Sequence, residues 1–220
     1  MHIAKYKITA CGHITRHFER SASNYSNKNI DPSRTHLNYN LAPERDCTQM
    51  QYIRDALEEI PHLKRKDLVV MAGLILTVPK DLDAKHHDAF FKNSYNFLVK
   101  RFCGDFENPE NGVISCYVHL DEKTPHMHFA FLPIKNKTLK NGETELRFNS
   151  RDLINRQQLA TLHQDLEEYL NNECCLRCKI LNGATKRNPY GRALTVKELK
   201  QLSPSRAYTR EYGRAIGGRW

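Results

Sequence analysis

A chain of 220 residues with 40% hydrophobic composition can bury one sizeable core, and 34 Lys and Arg against 25 acids leave it at +9, a balance that favours a polyanionic partner such as nucleic acid. Its seven cysteines are odd in number and unevenly placed, no segment approaches a membrane span and no apolar targeting region opens the chain. A cytoplasmic, soluble protein in a reducing compartment is therefore expected, and the secreted disulfide-framework and membrane-spanning classes are excluded.

Residues 2–11 alternate Ala4, Tyr6, Ile8 and Ala10 with Lys5, Lys7 and Thr9, which predicts a short strand ended by Gly12. Residues 13–41 are polar, Asn-rich and basic and support at most a helical turn around 15–21. An irregular connection of that length in a compact domain argues for function. It interleaves His17, Arg20, Arg34 and His36 with Tyr25, Asn38 and Tyr39, residue types that hold phosphates and stack on bases of a single strand. Residues 46–60 predict a helix capped by Asp46, with Met50, Ile53, Leu57 and Ile60 inward. Residues 68–78 are apolar on both sides of the pleat, as in a covered strand. Asp81 or Asp83 then caps a helix to Phe102 whose Phe91, Tyr95, Leu98 and Phe102 form a core stripe.

The window from His119 to His128 holds three histidines and two carboxylates. The runs on either side, 112–119 and 126–134, read as strands joined by a Lys123-Thr124-Pro125 turn. Residues two apart share a face, so His126 and His128 project together, and antiparallel pairing sets His119 opposite His126. Val118, Cys116 and Ile114 then share the buried face with Met127, Phe129 and Phe131. Three neutral imidazoles suit Mn, Fe, Co, Ni, Cu or Zn rather than Ca, and three protein ligands leave coordination positions for substrate. A catalytic metal is expected. An Asn141-Gly142 turn leads into a strand near 145–148, and Asn149 or Ser150 caps a long helix to about Asn172, with Leu159, Leu162, Leu166 and Tyr169 inward. The element order predicts an α+β sandwich with a largely antiparallel sheet, helices on one face and the histidines on the other.

Residues 183–220 change character: Lys and Arg far outnumber Glu198 and Glu211, and a basic arm appended to a domain spanning 1–182 is expected. Cys175 and Cys178 have metal-site spacing, yet no second Cys or His pair follows at zinc-finger distance, so free thiols are expected.

Three motifs in order, His17-Phe18-Glu19-Arg20, then Asn29 through Arg34-Thr35-His36-Leu37-Asn38-Tyr39, then His119-Leu120-Asp121-Glu122 followed by Thr124-Pro125-His126-Met127-His128, resemble the MobV (Mob/Pre) plasmid mobilisation and recombination relaxases of the HUH endonuclease superfamily. The resemblance covers about residues 1–175. It implies a nickase that opens one strand of single-stranded or hairpin DNA at an origin of transfer by transesterification and stays attached to the 5′ phosphate. It implies that His119, His126 and His128 hold Mn2+ or Mg2+, that His17 is the nucleophile, that Arg20 steadies the phosphate, and that Glu122 orients a ligand or takes a proton. Asn29, Arg34, Asn38 and Tyr39 would line the DNA path. Many relaxases use tyrosine, which makes Tyr25 and Tyr39 the rival nucleophiles. Relatives commonly continue into a helical region linked to dimerisation that has no counterpart here, so nicking without full mobilisation is expected. Two other functions compete: an origin-binding protein with a structural metal closed by a fourth ligand, and a metal-dependent oxygenase or hydrolase of small molecules, which the charge disfavours.

Overall fold

The computed structural model describes residues 1–22, 27 and 29–180, so Tyr25, the 182/183 boundary and the basic tail lie outside the described residues. The chain divides into a unit His2–Lys179 and a second made of Met1 and Ile180–Trp220, almost wholly outside that description. The first unit carries the fold.

Its sheet has five strands in the order β1 (His2–Tyr6), β3 (Met71–Thr77), β5 (His126–Phe131), β4 (Val113–His119) and β2 (Tyr39–Asn40), all antiparallel. The hairpin has the expected register: His119 pairs with His126, Tyr117 with His128 and Ser115 with Ala130, and the pairing slips only between Val113 and Ser115. Strand β5 stops at Phe131 rather than running to Ile134. Ile134 instead opens β6 (Ile134–Thr138), which pairs with β7 (Thr144–Phe148) in a separate ribbon. Gly142 makes its turn at φ +87, a conformation that glycine adopts without steric cost.

Helix α3 (His87–Cys103), preceded by a turn that Asp83 caps, covers the face opposite the histidines. Phe91, Tyr95, Leu98 and Phe102 are all buried, with Tyr95 packed edge-on to Phe129 and Phe102 stacked on Phe131. The predicted long C-terminal helix is broken. Asn149 caps α4 (Ser150–Leu153), Asn155 caps α5 (Arg156–Glu168), and a wider turn of helix follows through Glu173. Asn side chains compete for backbone N–H groups and favour caps over helix interiors, which places the break at Asn155. Leu162 and Leu166 are buried as expected, Leu159 and Tyr169 half-buried.

The largest departure lies at 8–19. The expected strand ends at Tyr6, and α1 (Ile8–Glu19) runs through Gly12 instead of stopping there. Its inward residues, Cys11, Thr15 and Phe18, recur at i, i+4 and i+7, but two of them are too weakly apolar to register as a stripe. Helix α2 (Gln49–Glu59) follows, capped by Thr48 and not by Asp46. Both α1 and α2 lie on the histidine face. Phe18 stacks near His128, with ring centroids 4.5 Å apart, and Gln49 accepts from Ser115 at 2.6 Å. Gly73 permits this approach, since a Cβ there would sit 3.0 Å from the Tyr6 ring and 3.8 Å from Phe18.

Candidate metal and nucleophile site

The last turn of α1 brings His17 over the histidine rows of β4 and β5. Its ring centre is 6.1 Å from that of His119 and 5.6 Å from that of His128. Helix α1 ends in a Schellman motif: Arg20 N–H donates to His17 O and Ser21 N–H to Arg16 O, with Arg20 left-handed at φ 58. Left-handed backbone costs a non-glycine residue about 1–2 kcal/mol. The side chain gives the offset. Arg20 Nε and Nη2 each donate to Asp121 at 2.9 Å, Nη2 also donates to Glu122 Oε1 at 2.7 Å, and Nη1 to His17 O at 3.2 Å. This locks the end of α1, and hence His17, to the β4–β5 turn.

The three metal-ligand candidates converge, and main-chain carbonyls set the tautomers of two of them. His119 Nε2–H donates to Phe18 O at 2.8 Å, which leaves Nδ1 with its lone pair, buried and without a hydrogen-bond partner. His126 Nδ1–H donates to Thr124 O at 3.0 Å, which leaves Nε2 facing His128 Nε2 at 3.1 Å. Main-chain carbonyls commonly hold the outer ring N–H of a metal-bound histidine. One nitrogen from each ring lies within 4.8 Å of the others. Burial first, then the neighbouring histidines and Arg20, drives His128 well below its ordinary pKa; burial takes His119 down to about 3 despite its bond to Phe18 O. Both rings are thus neutral and able to donate at physiological pH. The donor set fits a transition-metal ion. Among the described residues, no fourth His, Cys or carboxylate joins the three in one cluster, as a closed structural site would require.

Burial and then the Arg20 charge also lower the pKa of His17, which favours the neutral ring. Glu122 sits 3.9 Å from His126 Nε2, held by Arg20 on one oxygen and by Asn27 Nδ2 on the other at 3.0 Å. Asp121 is fully buried and also accepts from Thr35 Oγ1 at 3.2 Å. Burial alone would raise its pKa, yet the bonds from Arg20 and its charge hold it at about 2.

Several of the expected site residues are engaged in contacts within the protein. Arg20 has a side chain only 2% exposed and donates to two carboxylates and a carbonyl, contacts that fix its geometry. Asn38 turns inward, its Oδ1 accepting from the N–H groups of Leu120 at 2.7 Å and Asp121 at 3.2 Å. Tyr39 pairs with Val118, whose side chain lies on the α3 face, and its hydroxyl donates to Asp88 at 3.3 Å. Burial and then Asp88 push the Tyr39 pKa up, which disfavours its phenolate. Asn29 and Arg34 are exposed, on the segment whose Asp31 N–H donates to Asp121 O at 2.8 Å. Asp121, Asn27 and Thr35 carry the site's polar frame and escaped the sequence reading, because neither spacing nor residue type marks a carboxylate that will be buried. Cys175 and Cys178 form no disulfide. No helix among the described residues is long and apolar enough to cross a membrane.

Comparison with known proteins agrees with this geometry. Residues 1–177 match the family model described as plasmid recombination enzyme, Mob_Pre. A plasmid recombination enzyme of Streptococcus agalactiae is 31% identical over 176 residues, which is 76% of this chain and 33% of the relative. One of Lactiplantibacillus plantarum is 31% identical over 160 residues, 71% of this chain and 42% of the relative. The chain thus spans about a third of the length of the first of these relatives. The MobM relaxase domain (MOBV; Mob_Pre), solved with manganese and plasmid pMV158 oriT DNA, is similar at a TM-score of 0.70 and 29% identity, over 91% of this chain and 96% of that one. A second manganese-bound complex of the same domain gives 0.69 and 29%, over 92% and 97%. The fold, the histidine register and the matched length lead to one assignment: the chain belongs to the Mob_Pre family of plasmid recombination enzymes, the MobV relaxases.

Proposed function

We propose that this chain nicks one strand of DNA at an origin of transfer and carries the 5′ end as a covalent adduct on His17. The observation that supports this reading most directly is the neutral His17 ring held 5.6 Å, centre to centre, from His128 by the Schellman end of α1. The manganese and oriT DNA of the similar MobM complexes point the same way. His119, His126 and His128 would hold the divalent ion, manganese or magnesium, and when bound it supplies Lewis acidity at the scissile phosphate. The reaction itself falls to the side chains. A ring nitrogen of His17 attacks phosphorus, the P–O3′ bond breaks, and the departing oxygen takes up the proton that the phosphorylated imidazolium releases, leaving as a 3′ hydroxyl. The phosphoramidate conserves the bond energy for rejoining. Arg20, through Asp121 and Glu122, sets the approach of His17 to the histidine rows and acts as a positioning residue. Glu122 is the carboxylate nearest the ligands and is suited to orient His126 or accept a proton. Asn29 and Arg34, exposed beside this frame, are suited to meet the DNA backbone.

Mass spectrometry after reaction with a single-stranded origin oligonucleotide and manganese tests the reading. An acid-labile adduct mapping to His17, absent in His17→Ala, is expected. An acid-stable adduct on Tyr25 would refute it.

A further inference from the structure

Beside the histidines, on the same face of the sheet, lies a cavity of about 390 Å³ that the proposed chemistry does not use. Its floor is Ser115 and Tyr117 of β4. Tyr117 pairs directly with His128 and lies two residues before His119, so the cavity opens roughly 7 Å along the strand from the proposed ligands. A DNA strand advances about 3.4 Å per nucleotide when stacked and more when extended, which makes that distance one or two nucleotides.

The lining is unlike that of a phosphate site. In a chain of net charge +9, the cavity has Glu19, Glu44 and Asp46 in its wall and Arg45 as its single cation. That cation is already committed: Arg45 Nη2 donates to the carbonyls of Val113 at 2.7 Å and Glu110 at 3.0 Å, and its guanidinium lies 4.1 Å over the Tyr52 ring. The floor is pre-paired as well, with Ser115 donating to Gln49, and Gln49 to Glu19 at 2.5 Å. Glu44 and Asp46 remain exposed on the wall as acceptors. Such a surface repels a phosphate and accepts hydrogen bonds from a neutral group rich in N–H donors. On a DNA strand that group is a base edge. Cytosine, adenine and guanine each carry an exocyclic amine, and carboxylates pair with such amines; thymine has none.

We propose that this cavity is a base-reading subsite that takes one unstacked, amine-bearing nucleobase next to the nick position, with Glu44 and Asp46 as its acceptors. The proposal rests on the DNA-nicking reading above, and the two can fail separately. The test selects bound sequences from a random single-stranded DNA pool with the wild-type chain and with a Glu44→Gln, Asp46→Asn double variant. Both positions are exposed, so the variant should fold, and a melting curve checks that it does. The wild type should enrich a consensus in which one position excludes thymine. The variant should retain the consensus while its preference at that single position falls on the order of tenfold, the size of one lost base contact. An abasic lesion there should weaken wild-type binding and leave the variant little changed, as a shared contact requires. An unaltered thymine exclusion in the variant would overturn the base subsite, including the case in which the carboxylates hold only a cation. A wild-type chain that enriches no sequence would overturn the DNA-nicking reading itself.

Discussion

Arg20 and Asp121 are 101 residues apart in sequence and form a two-pronged ion pair, with both N···O distances 2.9 Å and side chains 2% and 0% exposed. Removing one partner from a buried pair strands a charge and typically costs about 3–5 kcal/mol. Asp121→Ala should show a loss of that order in urea denaturation. Arg20→Gly is the informative companion, since it relieves the left-handed backbone at φ 58 while removing the clamp. It should still be destabilised. A stabilised Arg20→Gly would mean that the backbone cost exceeds what the ion pair returns.

Metal binding should be visible as thermal protection. An ion that binds only the folded chain at a hundred times its Kd adds about 2.7 kcal/mol of stability. Manganese should raise the melting temperature of the wild type, and His126→Ala should abolish most of that rise. Because His126 is only half-buried, its metal-free melting temperature should change little. Undiminished protection in the variant would remove His126 from the ligand set.

The buried histidines make the metal-free chain acid-sensitive. The folded-state pKa of His119 lies at about 3 and that of His128 is also depressed, both first through burial, whereas the unfolded rings titrate near 6.5. As pH falls below about 6.5 the unfolded chain takes up protons that the folded chain refuses. Stability is therefore complete above that pH and is lost as pH falls towards 3, at about 1.4 kcal/mol per unit for each such histidine. Asp121 adds a separate loss only below its unfolded value of about 4, as pH approaches 2. Denaturation of the chelator-treated protein between about pH 7 and pH 5 should show this slope, and His119→Gln should flatten it. A pH-independent stability in that window would contradict the buried neutral rings.

Gly12→Ala should stabilise the protein. A Cβ at that position meets only Met50, at 3.8 Å, an ordinary contact. Glycine within a helix costs about 0.5–1 kcal/mol relative to alanine. The melting temperature should rise by roughly 2–4 °C. A fall would mean that α1 needs glycine there for a reason other than its packing.

The hairpin was legible because alternation is binary: once His126 and His128 face the same way, one turn position determines that His119 pairs with His126. Helix α1 was not, since Gly12 and the sequence Ile-Thr-Ala-Cys imitate strand chemistry and its inward stripe is built from Cys11 and Thr15. That error hid how His17 is held. A histidine read as riding on a flexible polar segment sits on the last turn of a capped helix, and the residues that fix it there, Asp121 and Thr35, gain their roles only through contacts distant in sequence. The face of Tyr39 was not legible either, because a two-residue strand gives no alternation from which to tell it.

Strand β2 is only two residues long, so β4 would otherwise present much of its backbone as an open sheet edge. Arg45 occupies the carbonyls of Glu110, Val113 and Ile114, and Asn40 Oδ1 takes the N–H of Cys116 at 2.8 Å. Those on β4 itself are groups that a neighbouring copy would use to extend the sheet. A guanidinium and an amide thus continue the cover of β4 where β2 stops, and they protect the chain against edge-to-edge aggregation where its own ladder is shortest.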